Sequence, residues 1–446
     1  MGYLSLTDRD REEMLAAIGV SSVDELFEQI PAAVRYAGPL DVEPELTEQE
    51  IVALFGQLAA RNAHTGVELS FLGAGVYDHY VPAVVDAVLS RGEFLTAYTP
   101  YQPEMSQGAL QAIFEYQTAI CELTGMDVSN ASGYDGCTVA ADACYIAKFV
   151  TGRTKIVLAE TLNPMVRQVV KTYAPGFGLE IVEVPHTDGA IDPDRLAAAA
   201  QDAAAVIFQQ PNFFGVLEDA PALVAAANEA GALPVAHVDP LSLGLLEAPG
   251  AYGCALAIGE GQAAGNFQSY GGPHYGFLAS RTDFIRRLPG RIVGETLDAA
   301  NERGYVLTLQ TREQHIRREK ATSNMTTNQT LLALAGLVYL SWLGPQGLRE
   351  VGEACTSLAA YAKSTLRAAG FEELFSNRAT FKEFAIRVGR PAGEVVKAAR
   401  ELGVHPGYAL GRDYASLDDA LLVAGTEKRT PAEIDRLAEV LVEVCG

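Results

Sequence analysis

The chain has 446 residues, 49% hydrophobic and 20% charged, the composition of a folded globular protein rather than a disordered or fibrous one. Its 33 Lys and Arg stand against 56 Asp and Glu, a formal net charge of −23. Such a charge repels phosphate backbones and anionic lipid, which speaks against nucleic acid and membrane as partners. The longest apolar run, LLALAGLVYLSWL at 331–343, is too short for a bilayer and predicts a buried helix. Asp8, Arg9, Asp10 and Arg11 leave no room for an opening signal segment. Six scattered cysteines include no C-x-x-C pair and no His at zinc-finger spacing. They read as small buried hydrophobes of a reduced, cytoplasmic protein.

In chain order, Thr7 or Asp8 caps a helix through Ala17, and Val23–Ile30 repeats its pattern up to Pro31. A third helix is expected over Thr47–Arg61. Residues 1–95 thus read as a helical arm without a sheet, which must lie on the body or on a neighbouring subunit to bury anything. Amphipathic helices follow at Gly108–Leu123, closed by Gly125, and Cys137–Val150, closed by Gly152. Strands are expected at Lys155–Ala159, Glu180–Val184, Ala205–Gln209, Pro234–Val238 and Ala255–Ile258. Helices at Met165–Tyr173, Asp194–Ala200 and Pro221–Ala230 separate them. This alternation predicts βαβ units and a mostly parallel sheet in a large α/β domain over 96–330. After the apolar helix comes another at Leu348–Ala369. Strands at Phe381–Val388 and Ala420–Ala424, with helices at Gly393–Leu402 and Pro431–Val444, complete a small α+β domain within 331–446.

Gly73-Ala-Gly75 lacks the third glycine of a dinucleotide loop, position 78 being Asp, so a tight turn is expected there. The seven histidines show no metal-site spacing, and no nucleophile elbow or Walker loop occurs. Two segments resist a purely structural account. In Tyr98-Thr-Pro-Tyr-Gln-Pro-Glu104, two prolines hold the backbone extended and present two tyrosines, Thr99 and Gln102. Such a loop suits a small polar ligand or a partner surface; the alternative is a lead-in to the next helix with Ser106 as its cap. Ser269–Gly276 allows a close backbone approach through consecutive glycines, or is a tight turn before a strand at Phe277–Ala279.

A doubly wound sheet followed by a small C-terminal domain resembles the aspartate-aminotransferase-like fold of pyridoxal-phosphate enzymes, fold type I. Those enzymes need an Asp under the pyridine nitrogen and, further on, a lysine for the Schiff base. Asp239, in AHVDP, stands where the Asp belongs, yet no lysine occurs between Lys171 and Lys320. The position nearest to the expected lysine is Gln262. At Asn130–Gly136 (NASGYDG), where a phosphate would sit on a helix N-terminus, the carboxylate of Asp135 is repulsive and a capped turn is expected instead.

The string YTPYQPEMSQGALQAIFEYQTAICELTGMDVSNASGYDG at 98–136, with VDPLSLGLL, GGPHYGF and REQHIRREKATSN, resembles the glycine-cleavage P-protein, the decarboxylating glycine dehydrogenase. Some bacteria split that enzyme into two homologous chains, and the missing lysine fits the N-terminal one. The resemblance implies pyridoxal phosphate on a partner subunit 2 and none bound covalently here. It also implies two copies of each chain, and transfer of an aminomethyl group from glycine to the lipoyl arm of H-protein. No catalytic residue is then expected in this chain. Tyr98, Thr99, Pro100, Tyr101, Gln102 and Glu104, with Arg312 and Arg318 of the basic cluster completed by Arg317 and Lys320, are expected at the rim of the partner's site or at the interface. Asp239 is read as structural. A free-standing pyridoxal-phosphate decarboxylase would need Lys148, Lys155 or Lys320 for its Schiff base, and a non-catalytic binding protein is the third reading.

Overall fold

Residues 5–36 and 38–446 are described by a computed structural model. The chain falls into two units, 1–63 and 64–446. In the first, Thr7 and Asp10 form a reciprocal cap that starts α1 (Asp8–Ile18), and Gly19 ends it at φ 89°. Thr47 and Glu50 start α2 (Glu48–Ala59) in the same way. Val23–Ile30 gives only a 3₁₀ turn, Asp24–Phe27. There Ser21 and Ser22 bond to Glu25, and these local bonds compete with a continuing helix. Among the described residues of this unit, none is buried.

The second unit holds α3 (Gln107–Thr124), β1 (Val128–Ser129), α4 (Gly136–Thr151), β2 (Lys155–Ala159), α5 (Pro164–Phe177) and β3 (Glu180–Val184). Next come α6 (Pro193–Ala200), β4 (Ala203–Gln210), α7 (Ala220–Glu229), β5 (Leu233–Val238), β6 (Leu256–Glu260) and β7 (Gly276–Ser280). The strands form one seven-stranded sheet in the order β1-β7-β6-β5-β4-β2-β3. Pairings among β2 to β6 are parallel, whereas β7 runs antiparallel to β6 and β1. Val157, Val206, Phe208 and Ala236 face one core, and Ile156, Leu158, Ile207 and Val235 the other. A sheet covered on both faces explains why these strands are continuous apolar runs.

The antiparallel hairpin β8 (Ile292–Leu297) and β9 (Arg303–Thr308) was not legible. Its turn depends on Asp298, whose Oδ1 accepts from the amides of Ala300 and Glu302, in place of an Asn-Gly signal. Ser106 precedes α3 without a side-chain capping bond. The two expected late helices form one element, α8 (Thr330–Ala368), broken at Gly344, where φ is 60° and ψ −175°. The whole element is long and apolar enough to cross a membrane by length and composition. It buries Ala333, Leu334, Ala335 and Tyr339 inside the protein, while Trp342 is exposed. Beyond it, β10 (Glu372–Glu373), β11 (Glu383–Arg387), α9 (Ala392–Glu401), β12 (Tyr408–Ala409), β13 (Ala420–Ala424) and α10 (Pro431–Cys445) build a second layer. Its antiparallel sheet runs β10-β11-β13-β12, over a separate core of Phe384, Val423, Leu437 and Leu441.

Candidate active-site region

In a parallel sheet, ligands bind outside the carboxyl ends of the strands. Asp239 follows β5 at that end. Its Oδ1 accepts from the Leu241 amide at 3.0 Å, and its Oδ2 lies 2.5 Å from Nζ of Lys382. Lys382 immediately precedes β11 in the small sheet and is only 2% exposed. Its ammonium also donates to Nε2 of His79 at 2.9 Å and sits 3.5 Å from the centroid of the Tyr77 ring. Burial and the Lys382 charge hold His79 below its ordinary pKa, so its Nδ1–H donates to Oε2 of Glu427 at 2.6 Å. Burial pushes Glu427 up, but that bond, the His79 ring and the Tyr80 amide more than offset it and hold the carboxylate at about 2. Ligand atoms of His79, Cys355 and Glu427 lie within 4.8 Å of one another. Because His79 already accepts from an ammonium, the group is a hydrogen-bonded charge chain. His237, on β5, is buried with neither ring nitrogen paired, and burial pushes it down to about 4.

At the end of β6, Glu260 Oε2 accepts from the Gly136 amide at 2.9 Å and Oε1 from the Gln262 amide at 3.1 Å. Asp135 caps α4 as expected, accepting from Thr138 N at 2.7 Å. Burial raises Glu260, the Gly136 amide opposes this, and the charge of Asp135 adds to it, leaving the carboxyl at about 8. Gln262 is 1% exposed. Its Oε1 accepts from Tyr77 N at 2.8 Å, and its Nε2 donates to Tyr77 O and Asn266 O, both at 2.9 Å.

The Tyr98–Glu104 loop precedes α3 and neighbours Arg291, whose carbonyl accepts from Ala131 N at 2.8 Å in the segment that leads into α4. Tyr98 is 84% and Tyr101 50% exposed; Gln102 and Glu104 are also exposed, Thr99 half-buried and Pro100 buried. The Tyr101 ring meets His315 at 6.2 Å, which joins this loop to the segment carrying the basic cluster. Arg291 Nη2 donates to Tyr101 OH at 3.3 Å and to Thr326 O at 3.2 Å. The basic cluster does not form a single patch. Arg317, Arg318 and Lys320 are exposed, whereas Arg312 is buried, donates to Leu288 O and is pushed by burial down to about 10, Glu313 partly opposing. Behind the loop lies a small apolar pocket of about 70 Å³, lined among others by Leu95, Ala97, Ile113 and Leu334.

Sequence reasoning missed Lys382 and Arg291. Lys382 breaks the apolar pattern of FKEFAIR, the one local sign that a charge enters a core. No spacing connects it to Asp239. Arg291, flanked by Gly290 and Ile292, carries no signal at all.

The mostly parallel sheet, the small C-terminal sheet and an Asp at the end of β5 define a protein of the fold type I class of pyridoxal-phosphate enzymes. At low identity, where only the fold is shared, the chain superposes on a sphingosine-1-phosphate lyase from Burkholderia pseudomallei with a TM-score of 0.66, at 15% identity over 93% of each chain. A NifS-like protein from Rickettsia africae gives 0.63 at 14% identity over 84% of this chain and 99% of that one. The family model of the glycine cleavage system P-protein matches residues 1–441, and the chain belongs to that family. It is 50% identical to a probable glycine dehydrogenase (decarboxylating) subunit 1 of Lysinibacillus sphaericus, covering 98% of this chain and 97% of the relative. A protein of the same name from Geotalea uraniireducens is 49% identical over 99% of both. A crystal structure of glycine decarboxylase (P-protein) of the glycine cleavage system in inhibitor-bound form matches with a TM-score of 0.91 at 42% identity, over 100% of both chains.

Proposed function

We propose that this chain acts as subunit 1 of a two-chain glycine decarboxylase. A homologous subunit 2 carries pyridoxal phosphate, which as an electron sink stabilises the charge left when glycine loses carbon dioxide. The aminomethyl group passes to the lipoyl arm of H-protein. The assembly holds two copies of each chain and works in the cytoplasm. The arm over 1–95 and the domains over 96–330 and 331–446 are the working division of this chain.

The role of this chain is to complete the partner's site. The observation that carries this reading is the Tyr98–Glu104 loop: exposed aromatic and amide groups, kept in place by Arg291 and by contact with His315. A monomer gains nothing from holding two tyrosines and a methionine, Met105 at 83% exposure, in water. A partner's surface does. Tyr98 OH and the Gln102 amide bind the glycine carboxylate or position the lipoyl arm, and the exposed Arg318 pairs with acidic groups of the partner. The runner-up, a free-standing decarboxylase using Lys148, Lys155 or Lys320, has little support. Lys148 donates to Phe177 O and Lys155 to Gln201 O, and Lys320 is exposed.

The test mixes purified chain, subunit 2 and lipoylated H-protein and follows glycine-dependent carbon dioxide exchange. Activity only on mixing is expected, with Tyr98→Phe/Gln102→Ala lowering it while the complex stays assembled by size-exclusion chromatography. Full activity of the double variant removes the role given to the loop. Activity of the single chain removes the whole reading.

A further inference from the structure

The end of the sheet where fold type I enzymes hold pyridoxal phosphate does not fit that group in this chain. We infer that the chain fills the place with a mimic of the cofactor made from its own side chains. The Lys382 ammonium stands for the pyridinium against Asp239. The Glu260 carboxyl stands for the phosphate on the N-terminus of α4, and the Gln262 amide takes the position nearest to the expected Schiff-base lysine.

Each substitution answers a physical demand left by the absent group. A buried ammonium needs an anion, and Lys382 has the half-buried Asp239 at 2.5 Å. A helix N-terminus leaves amide N–H groups unpaired; Glu260 accepts the Gly136 amide, and Asp135 the Thr138 amide. The Glu260 carboxyl already takes the Gly136 amide that a phosphate would use, and Gly136 packs directly on Glu260, since a Cβ there would stand 2.8 Å from both its N and its Cβ. Gln262 accepts from Tyr77 N and donates to Tyr77 O, a two-way bond that lysine, with donors only, cannot make.

Two of these parts, Gln262 and Lys382, meet on one segment, Gly73–Tyr80. Gln262 holds Tyr77 from the large domain, and Asn163 donates to Ala74 O at 2.9 Å. From the small domain, Glu383 accepts from Ala74 N and from Tyr77 OH, both at 2.7 Å, and Lys382 reaches His79. Lys428 and Arg429 pair with Asp78 at 2.6 and 3.0 Å. Gly73 is required because a Cβ there would overlap Glu383 Oε1 and lie 2.7 Å from the Ala424 Cβ. The mimic therefore fastens a strap between the two layers, a task that needs no partner subunit.

The experiment uses the full chain alone, so its outcome does not depend on assembly with subunit 2. After incubation with excess pyridoxal phosphate and dialysis, no stoichiometric cofactor and no visible absorbance band should remain. One cofactor per chain overturns the inference. In parallel, Lys382→Met and Asp239→Asn are each expected to lower the thermal unfolding midpoint by several degrees, whereas the double variant recovers much of the loss, since neither charge is then stranded. Insoluble single variants with a soluble double variant show the same pattern. Additive losses overturn the pairing, and if all three variants are insoluble the cofactor measurement decides.

Discussion

Gln262 pairs with the backbone of Tyr77 as one strand pairs with another, its amide oxygen 2.8 Å from Tyr77 N and its amide nitrogen 2.9 Å from Tyr77 O. Replacing it by Leu keeps the volume roughly but strands three buried backbone groups, Tyr77 N, Tyr77 O and Asn266 O. Gln262→Leu should therefore cost about 2–4 kcal/mol, read by urea unfolding at neutral pH. An unchanged midpoint would mean that the strap is held without this side chain.

A second contact between the layers depends on glycine. Gly215 adopts φ +80°, and a Cβ there would overlap the carbonyl of Glu383. Gly215→Ala adds left-handed strain to that clash, an expected loss of about 3–5 kcal/mol. Circular dichroism during denaturant titration would show it, and a stable variant would imply that the small domain can shift outward.

Two buried carboxyls, Asp142 and Glu383, and the half-buried Glu260 make stability fall with rising pH above the histidine range. Burial raises Asp142 and Glu383 to about 7 and Glu260 to about 8. At pH 6.5 the folded chain keeps protons on these groups that the unfolded chain has released. Stability present at low pH is then lost as pH rises through the folded values, by about 1–3 kcal/mol between pH 6.5 and 8. His79 and His237, whose folded values are lowered, are still about half protonated in the unfolded chain at pH 6.5, which opposes the carboxyls at the lower end of that window by less than about 1 kcal/mol and leaves the net sign unchanged. Unfolding midpoints at the two pH values test this, and Glu383→Gln should flatten the slope.

Arg291 holds the exposed loop through Tyr101 OH and stacks 5.7 Å from its ring. On the proposed function, Arg291→Met leaves assembly intact and lowers the turnover of the mixed enzyme about tenfold, because the loop's groups lose their placement. Arg291→Lys, which keeps the charge, should recover part of the activity. Equal losses in both variants, together with weaker assembly, would make the residue merely structural.

All six cysteines are free, yet none is poised to react. Burial pushes Cys121 and Cys137 up to about 12 and raises Cys144, Cys254 and Cys355 further. Only the thiolate attacks a disulfide reagent. Native chain at pH 8 should label slowly, and all six thiols at once in denaturant; rapid native labelling of Cys355 would show that the charge chain beside Glu427 is open to solvent.

The sequence by itself determined most elements of the large sheet and the small domain, and the family. Apolar strands such as Lys155–Ala159 and Ala420–Ala424 coincide with their predicted bounds, since burial on both faces and flanking turn residues are local properties. Thr7 as a cap and the capped turn before α4 were legible because a cap satisfies amides only a few residues away. The absence of a lysine between 171 and 320 was equally plain. What filled the place was decided by tertiary structure alone. Lys382 reaches Asp239 only because the small sheet packs on the large one, and Tyr101 meets Arg291 and His315 only across separate loops. Periodicity reports which face of an element is apolar, but a buried charge finds its counter-ion through space, and no spacing along the chain records that partner.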